Sequence, residues 1–181
     1  EVAALVRSAP GMDDLMIEGN RVGSSNRDVQ IDLGGFAKGY AVDWAIAELR
    51  RNGVEHAIVN AGGDLRAIGS KGDQPWRIGV RHPQGEGVLA AIEVHGDESI
   101  FTSGNYERYN EHQGIRYPHI IDPRSGQPVQ GVTSVTVIHG NGAEADAAAG
   151  AGDQHNGLRV GGGWFVIRSY GRDYAGAFPG A

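Results

Sequence analysis

The clearest hydrophobic pattern in the chain lies in AVDWAIAELRRNG, where Ala41, Ala45, Ile46 and Leu49 fall at i, i+4, i+5 and i+8. That spacing keeps apolar side chains on one face at a 3.6-residue period, so it predicts a helix, and Gly53 supplies its stop. Just upstream, VQID reads as a short strand, and the two glycines after it as the turn into the helix. HAIVNAGG carries a continuous stretch from His56 to Val59 that predicts a strand buried on both faces. WRIGVRHP alternates with a period of two, and LAAIEVHG and SIFTSG predict further strands joined by short turns. VTSVTVIHG alternates β-branched residues and reads as a strand, AEADAAAGAG as the start of a helix, and WFVIRSY as a strand between glycine clusters. The implied class is α+β, a mostly antiparallel sheet with few helices. No repeat or linker divides the chain, so residues 1–181 are read as one domain.

Composition narrows the chemistry. Charged residues make up 21% with a net charge of −6, so the bulk field does not attract a polyanion and nucleic acid is not expected as a partner. The absence of cysteine excludes disulfides, thiolate metal sites and a cysteine nucleophile. There is no G-x-S-x-G and no H-E-x-x-H. His56, His82, His95, His112, His139 and His155 are scattered without ligand spacing. The apolar runs fall well short of a membrane span, and EVAALVRSAPGMDD lacks a basic-then-apolar signal, so the chain reads as mature or trimmed and soluble. Glycine is the outlier at 30 of 181 residues, more than twice the usual roughly 7%. Many backbone positions should therefore need positive φ or close approach to another group.

Four stretches concentrate the candidate chemistry. In DLGGFAKGYAVD, two glycines at a helix start can present N–H groups to phosphate with Lys38 beside them, or can form an ordinary turn, and Asp32 can accept hydrogen bonds from a base or ring or cap the helix. In NAGGDLRAIG, Gly62 and Gly63 allow a flat ligand or phosphate near the main chain with Asp64 placed to bond it, or they make a β-turn. In FTSGNYERY, Thr102, Ser103 and Gly104 can donate to phosphate or close a turn. In EADAAAG, Asp146 sits among alanines, where a lone buried charge is unfavourable; a hard cation such as Mg²⁺ would satisfy it, and so would an outward-facing position at a helix start. Finally GIRYPHIIDPRSGQPVQG places His119 at the mouth of a run of turn-formers that no strand or helix interior would accept.

Taken in order, DLGGFAKGYAVD, NAGGDLRAIG, TSGNYERY with RYPHIIDPRSGQPV, and VTVIH with EADAAA resemble the motif set of the ApbE family, the FAD:protein FMN transferases. The resemblance covers about residues 29–150. It implies an ApbE-like flavin transferase fold and an enzyme that takes FAD with Mg²⁺ and attaches FMN by a phosphoester to a threonine or serine hydroxyl of an acceptor flavoprotein, releasing AMP. The alternatives on the same fold are a non-catalytic FAD-binding protein and an FAD pyrophosphatase. By resemblance Asp32 and Lys38 contact FAD, Gly62, Gly63 and Asp64 line the cofactor cleft with Ser103 close by, and Ile121 lies against the nucleotide. The carbonyl of Gly35 and the carboxylate of Asp146 would hold Mg²⁺, and His119 would be the catalytic base, a role that suits a side chain titrating near 6.5 when unperturbed. Gly150 stands where the family pattern has a threonine that adds a second side-chain oxygen to the metal. Family members also carry a longer segment ahead of the DLGG region than the 31 residues found here, so the N-terminal part of the fold is expected to be absent. They usually work outside the cytoplasm, in the periplasm, on subunits of membrane redox complexes.

Overall fold

The computed structural model describes residues 2–8, 10–83, 85–104, 109–122, 125–128, 132–151, 158–160 and 163–169. Helix α1 (Val2–Ser8) is followed by a 3-10 turn (Met12–Asp14) and by strands β1 (Leu15–Glu18) and β2 (Arg21–Ser24), which pair antiparallel. Nearly every residue of this hairpin is exposed, so it shows no inside-outside alternation from which it could have been read.

The segment expected as a strand at VQID is irregular backbone instead. There Asp32 Oδ1 accepts the Gly34 N–H at 2.6 Å, so Asp32 ties down the glycine turn and does not cap the helix. Helix α2 (Ala37–Arg51) begins after Phe36, whose side chain makes no capping bond. Its buried stripe is Gly39, Val42 and Ile46, with Ala45 and Leu49 half-buried and Ala41 exposed. The expected face is therefore rotated, because the deepest contact is made by a glycine that hydropathy does not register. The helix ends at Asn52, and Gly53 turns the chain at φ +79° as expected.

Strands β3 (Ala57–Ala61) and β4 (Asp64–Ile68) form a hairpin, β5 (Trp76–Arg81) and β6 (Val88–Val94) form a second, and β7 (Glu98–Gly104) follows. Two small hairpins come next: β8 (Tyr109–His112) with β9 (Ile115–Pro118), and β10 (Ile121–Asp122) with β11 (Gln127–Pro128). The turn-rich loop thus contains short strands after all. The Asp122 carbonyl accepts the Ser125 and Gly126 N–H groups at 3.2 and 2.7 Å, Gly126 takes φ +67°, and Pro128 is tolerated because β11 pairs only with β10.

Strand β12 (Val132–His139), helix α3 (Gly142–Ala151), β13 (Leu158–Val160) and β14 (Gly163–Ser169) complete the order. The main sheet runs β13-β14-β12-β7-β4-β3, antiparallel throughout except for the parallel pair β12 and β14. Three α-helices and mostly antiparallel strands, among the described residues, bear out the α+β class. At the sheet's edge β3 is only half-buried, with Val59 and Ala61 against one core and Ile58 against the other, which corrects the expectation of a strand buried on both faces.

Two cores flank the sheet. Val42, Phe101, Val135, Val137, Ala145 and Ala149 fill the space under α2 and α3. Leu65, Ala67, Val80, Ile92, Val94, Ile100 and Ile138 fill the space between the sheet and the β5–β6 hairpin. Phe101 is fully buried, and truncating such a side chain costs about 3–5 kcal/mol. The sheet is thereby a rigid floor on which the two helices lie.

Candidate functional site

A helix start leaves backbone N–H groups without intrahelical acceptors. In α2 the first intrahelical bond runs from the Tyr40 N–H to the Phe36 carbonyl at 3.1 Å. The Gly39 N–H bypasses the Gly35 carbonyl and donates to Asp146 Oδ2 at 2.9 Å. Asp146 is buried on α3, and this bond places it at the positive end of the α2 dipole. Its company of alanines has a physical reason: Ala145 and Ala149 pack into the core while the carboxylate turns to α2. Helix N–H and dipole therefore supply part of the compensation for which the sequence suggested a cation, and the burial of Asp146 sets aside the outward-facing alternative.

Two hard oxygens near the α2 start are left without hydrogen bonds. Among the described residues Asp146 Oδ1 accepts no hydrogen bond, and neither does the Gly35 carbonyl. One carboxylate oxygen and one backbone carbonyl fit Mg²⁺, which keeps water or phosphate oxygens in its other positions. Among the described residues no group of three or more His, Asp or Glu could hold a metal, so a cage of side chains is not on offer. Gly150, one helical turn beyond Asp146, adds no oxygen, and a Cβ placed there would meet nothing within 4 Å.

Next to Gly39, Lys38 reaches from α2 to the sheet and forms an ion pair with Asp64 Oδ2. Asp64 is buried at the start of β4, and its Oδ1 accepts the Thr102 N–H from β7 at 2.6 Å. Lys38 is therefore a cation already matched to a carboxylate, with nearly half of its side chain still open to solvent. Ser103, the next residue of β7, is half-buried on the face that Phe101 shares with the helices. On the opposite face the hydroxyls of Thr102 and Thr136 lie 2.9 Å apart.

Gly62 and Gly63 make the β3–β4 turn at φ +70° and +105°, and Asn60 Oδ1 accepts the Gly63 N–H at 2.8 Å. A Cβ at either would meet nothing within 4 Å, so these residues are glycine because of backbone conformation, and the space above them is open. The first turn of α2 thus joins Lys38, Asp64, Asp146 and the stretch from Gly35 to Gly39. His119 is exposed on the segment leading into β10 and Ile121 at the start of that strand, and Asp32 is exposed in its own turn ahead of α2.

Sequence reasoning missed a second set of charges. Asp43 on α2 accepts the Gly142 N–H at 2.9 Å on each oxygen and the Ala143 N–H at 3.1 Å, capping α3. Arg66 on β4 bonds Asp43 and also forks onto Asp97, whose oxygens it meets at 2.8 and 3.0 Å, while Arg50 meets Asp97 at 2.6 Å. Burial is the largest influence on the Arg66 guanidinium and pulls its pKa down, but Asp97 and Asp43 together outweigh it and raise the value. Burial likewise pushes the Asp97 carboxyl up, and the bonds and charges of Arg66 and Arg50 together hold it below the usual range. Asp43 lies in the DLGGFAKGYAVD stretch, yet Arg66 is 23 residues away and its α3 partners about a hundred, and no local pattern announces either.

Comparison with known proteins fits this arrangement. The model of the ApbE family matches residues 1–152. The FAD:protein FMN transferase of Rhodobacter capsulatus is 50% identical over 150 residues, spanning 83% of this chain and 29% of that protein. The FAD:protein FMN transferase of Vibrio cholerae is 40% identical over 147 residues, 79% of this chain and 44% of its own length. The crystal structure of the ApbE protein of Thermotoga maritima superposes with a TM-score of 0.76 at 40% identity, covering 83% of this chain and 49% of that one. The chain thus spans less than half the length of each of these relatives.

Proposed function

Because this chain belongs to the ApbE family, we propose that it transfers the FMN half of FAD to a threonine or serine hydroxyl of an acceptor flavoprotein. The observation that carries the reading is the meeting of Lys38 with Asp64, and of Gly39 with Asp146, at one helix start. A pyrophosphate brings negative charge; the α2 N-terminus and Lys38 are the positive elements there, and the buried carboxylates hold them in place. Asp64 fixes where the Lys38 ammonium lies, so the cation meets the substrate already oriented. Gly62 and Gly63 leave room for a flat or phosphate-bearing part of FAD to approach the main chain. Asp32, Ser103 and Ile121 complete the proposed FAD contacts.

In the reaction, the acceptor hydroxyl oxygen bonds to the phosphorus on the FMN side of the pyrophosphate. The bond from that phosphorus to the bridging oxygen breaks, and AMP departs with that oxygen. An imidazole nitrogen of His119 takes the hydroxyl proton; its exposed position in the segment before β10 suits a base that must meet a hydroxyl brought by another protein. Asp146 Oδ1 and the Gly35 carbonyl would hold Mg²⁺. Bound there, the ion would draw charge off the phosphoryl oxygens. By family resemblance, the acceptor is a subunit of a membrane redox complex and the site of action extracytoplasmic.

The test is AMP release from FAD in the presence of Mg²⁺, with and without an acceptor domain bearing the hydroxyl. Release that requires the acceptor and is lost in His119→Ala supports transfer. Equal release of FMN and AMP without acceptor replaces it with hydrolysis, and bound but intact FAD replaces it with a binding role.

A further inference from the structure

The geometry points to Asp43 and Arg66 as positioning residues that set where the Asp146 carboxylate stands on α2. The inference deepens the reading of Asp146 as an oxygen ligand and rests on it. Two helices cross here at the closest approach backbone allows. A Cβ on Gly39 would lie 2.1 Å from the Gly142 carbonyl oxygen, so no side chain separates them. Each helix also caps the other. Asp43, four residues after Gly39 on α2, holds the first amides of α3; Asp146, four residues after Gly142 on α3, holds the Gly39 amide of α2. Residues four apart share a face and are separated by about 6 Å of rise, so the two caps fix a crossing at two points.

Such a crossing can still slide unless one point is anchored to the sheet. Arg66 supplies the anchor. From β4 it bonds Asp43 with one nitrogen and grips Asp97, ahead of β7, with two others. Its side chain is 12% exposed and that of Asp43 18%, so the pair works in a poorly screened setting where direction and distance count. A guanidinium presents its donors in a fixed planar fork, so the position of Asp43, and through it of the α3 start, follows from the sheet. Because α3 is rigid over one turn, Asp146 follows the α3 start. Neither residue touches the proposed substrate; both act through helix placement.

The experiment has a metal-free and a metal arm, each with the intact protein. In metal-free protein, hydrogen exchange at the Gly39 amide is compared with that of amides in the central strand β7. Asp43→Asn, which keeps an accepting oxygen and the shape but drops the charge that Arg66 holds, should speed Gly39 relative to β7. Global destabilisation would speed both alike. Arg50→Ala, which removes a donor from Asp97 while leaving Asp43 intact, should leave the ratio unchanged. In the second arm Mn²⁺, as a paramagnetic stand-in, is titrated into each variant. Asp43→Asn and Arg66→Met should weaken its binding by about ten- to a hundredfold, the usual effect of losing an outer partner of a ligand, and Arg50→Ala should not. An unchanged Gly39 ratio in Asp43→Asn overturns the positioning role. Wild-type protein that binds no Mn²⁺ would remove the ligand reading of Asp146, and the exchange ratio would still decide whether Asp43 places that carboxylate.

Discussion

Gly39 and Asp146, 107 residues apart in the chain, are joined by a 2.9 Å hydrogen bond from a helix-start amide to a buried carboxylate. The bond separates two roles of Asp146 that can be tested apart. Asp146→Asn keeps an acceptor for the Gly39 N–H and loses the charge, so it should cost only the dipole interaction, about 0.3–1 kcal/mol. Asp146→Ala leaves that amide unpaired and should cost about 1–3 kcal/mol. Both should lose Mg²⁺-dependent turnover. Urea denaturation beside initial rates separates the two effects, and wild-type turnover in Asp146→Asn would remove the ligand role.

The helix crossing predicts that Gly39→Ala is harmful despite alanine's better helix propensity. A methyl group 2.1 Å from the Gly142 oxygen forces α2 and α3 apart, and overpacking of this kind costs about 1–3 kcal/mol. A lower urea midpoint with an unchanged slope is expected. A midpoint equal to or above the wild type would mean that the helices are not held this closely.

Acid should expose the Asp97 clamp. Its folded pKa is depressed, so the stability it contributes is fully present above the unfolded value near 3.8 and is lost as pH falls through the lower folded value. Arg66, whose pKa is raised, stays fully charged in both states throughout the acid range, so its contribution is constant there. Melting temperatures of wild type and Asp97→Asn should differ by a constant amount above about pH 5 and begin to converge below about pH 4. A difference of undiminished size at pH 3 would contradict a charge-based clamp.

Gly150 offers a gain-of-function test. A Cβ there meets nothing within 4 Å, so threonine fits without displacing a neighbour and puts a hydroxyl one turn from Asp146. Gly150→Thr should tighten Mg²⁺ on the order of tenfold, about 1.4 kcal/mol. Calorimetric titration would show it, and unchanged affinity would mean that the end of α3 does not face the ion.

Strands β5 and β12 were legible because their residues alternate, β6 and β7 because short apolar runs end at turn residues, and α2 because its stripe repeats. Asp146 stood out because a carboxylate among alanines needs a compensating partner, although the partner found in the fold is the Gly39 amide. Strand β4 was hidden inside what looked like a turn: its two leading glycines signal a bend, and Arg66 reads as a surface charge until the fold supplies Asp43 and Asp97. The β1–β2 hairpin buries almost nothing and so leaves no periodic trace. The end of the VQID stretch reads as extended, but its last residue accepts the Gly34 N–H within its own loop, and among the described residues no neighbouring strand takes up the segment. Local pattern reports local structure; the reciprocal caps link α2 to residues about a hundred positions on, and only the folded chain brings them together.

The most direct measurement is the intact mass of an acceptor domain after incubation with the protein, FAD and Mg²⁺. The expected result is a gain of one FMN phosphoester on a threonine or serine, absent when Mg²⁺ is chelated and absent with Asp146→Asn. An acceptor of unchanged mass, with FAD consumed or bound, would contradict transfer as the work of this site.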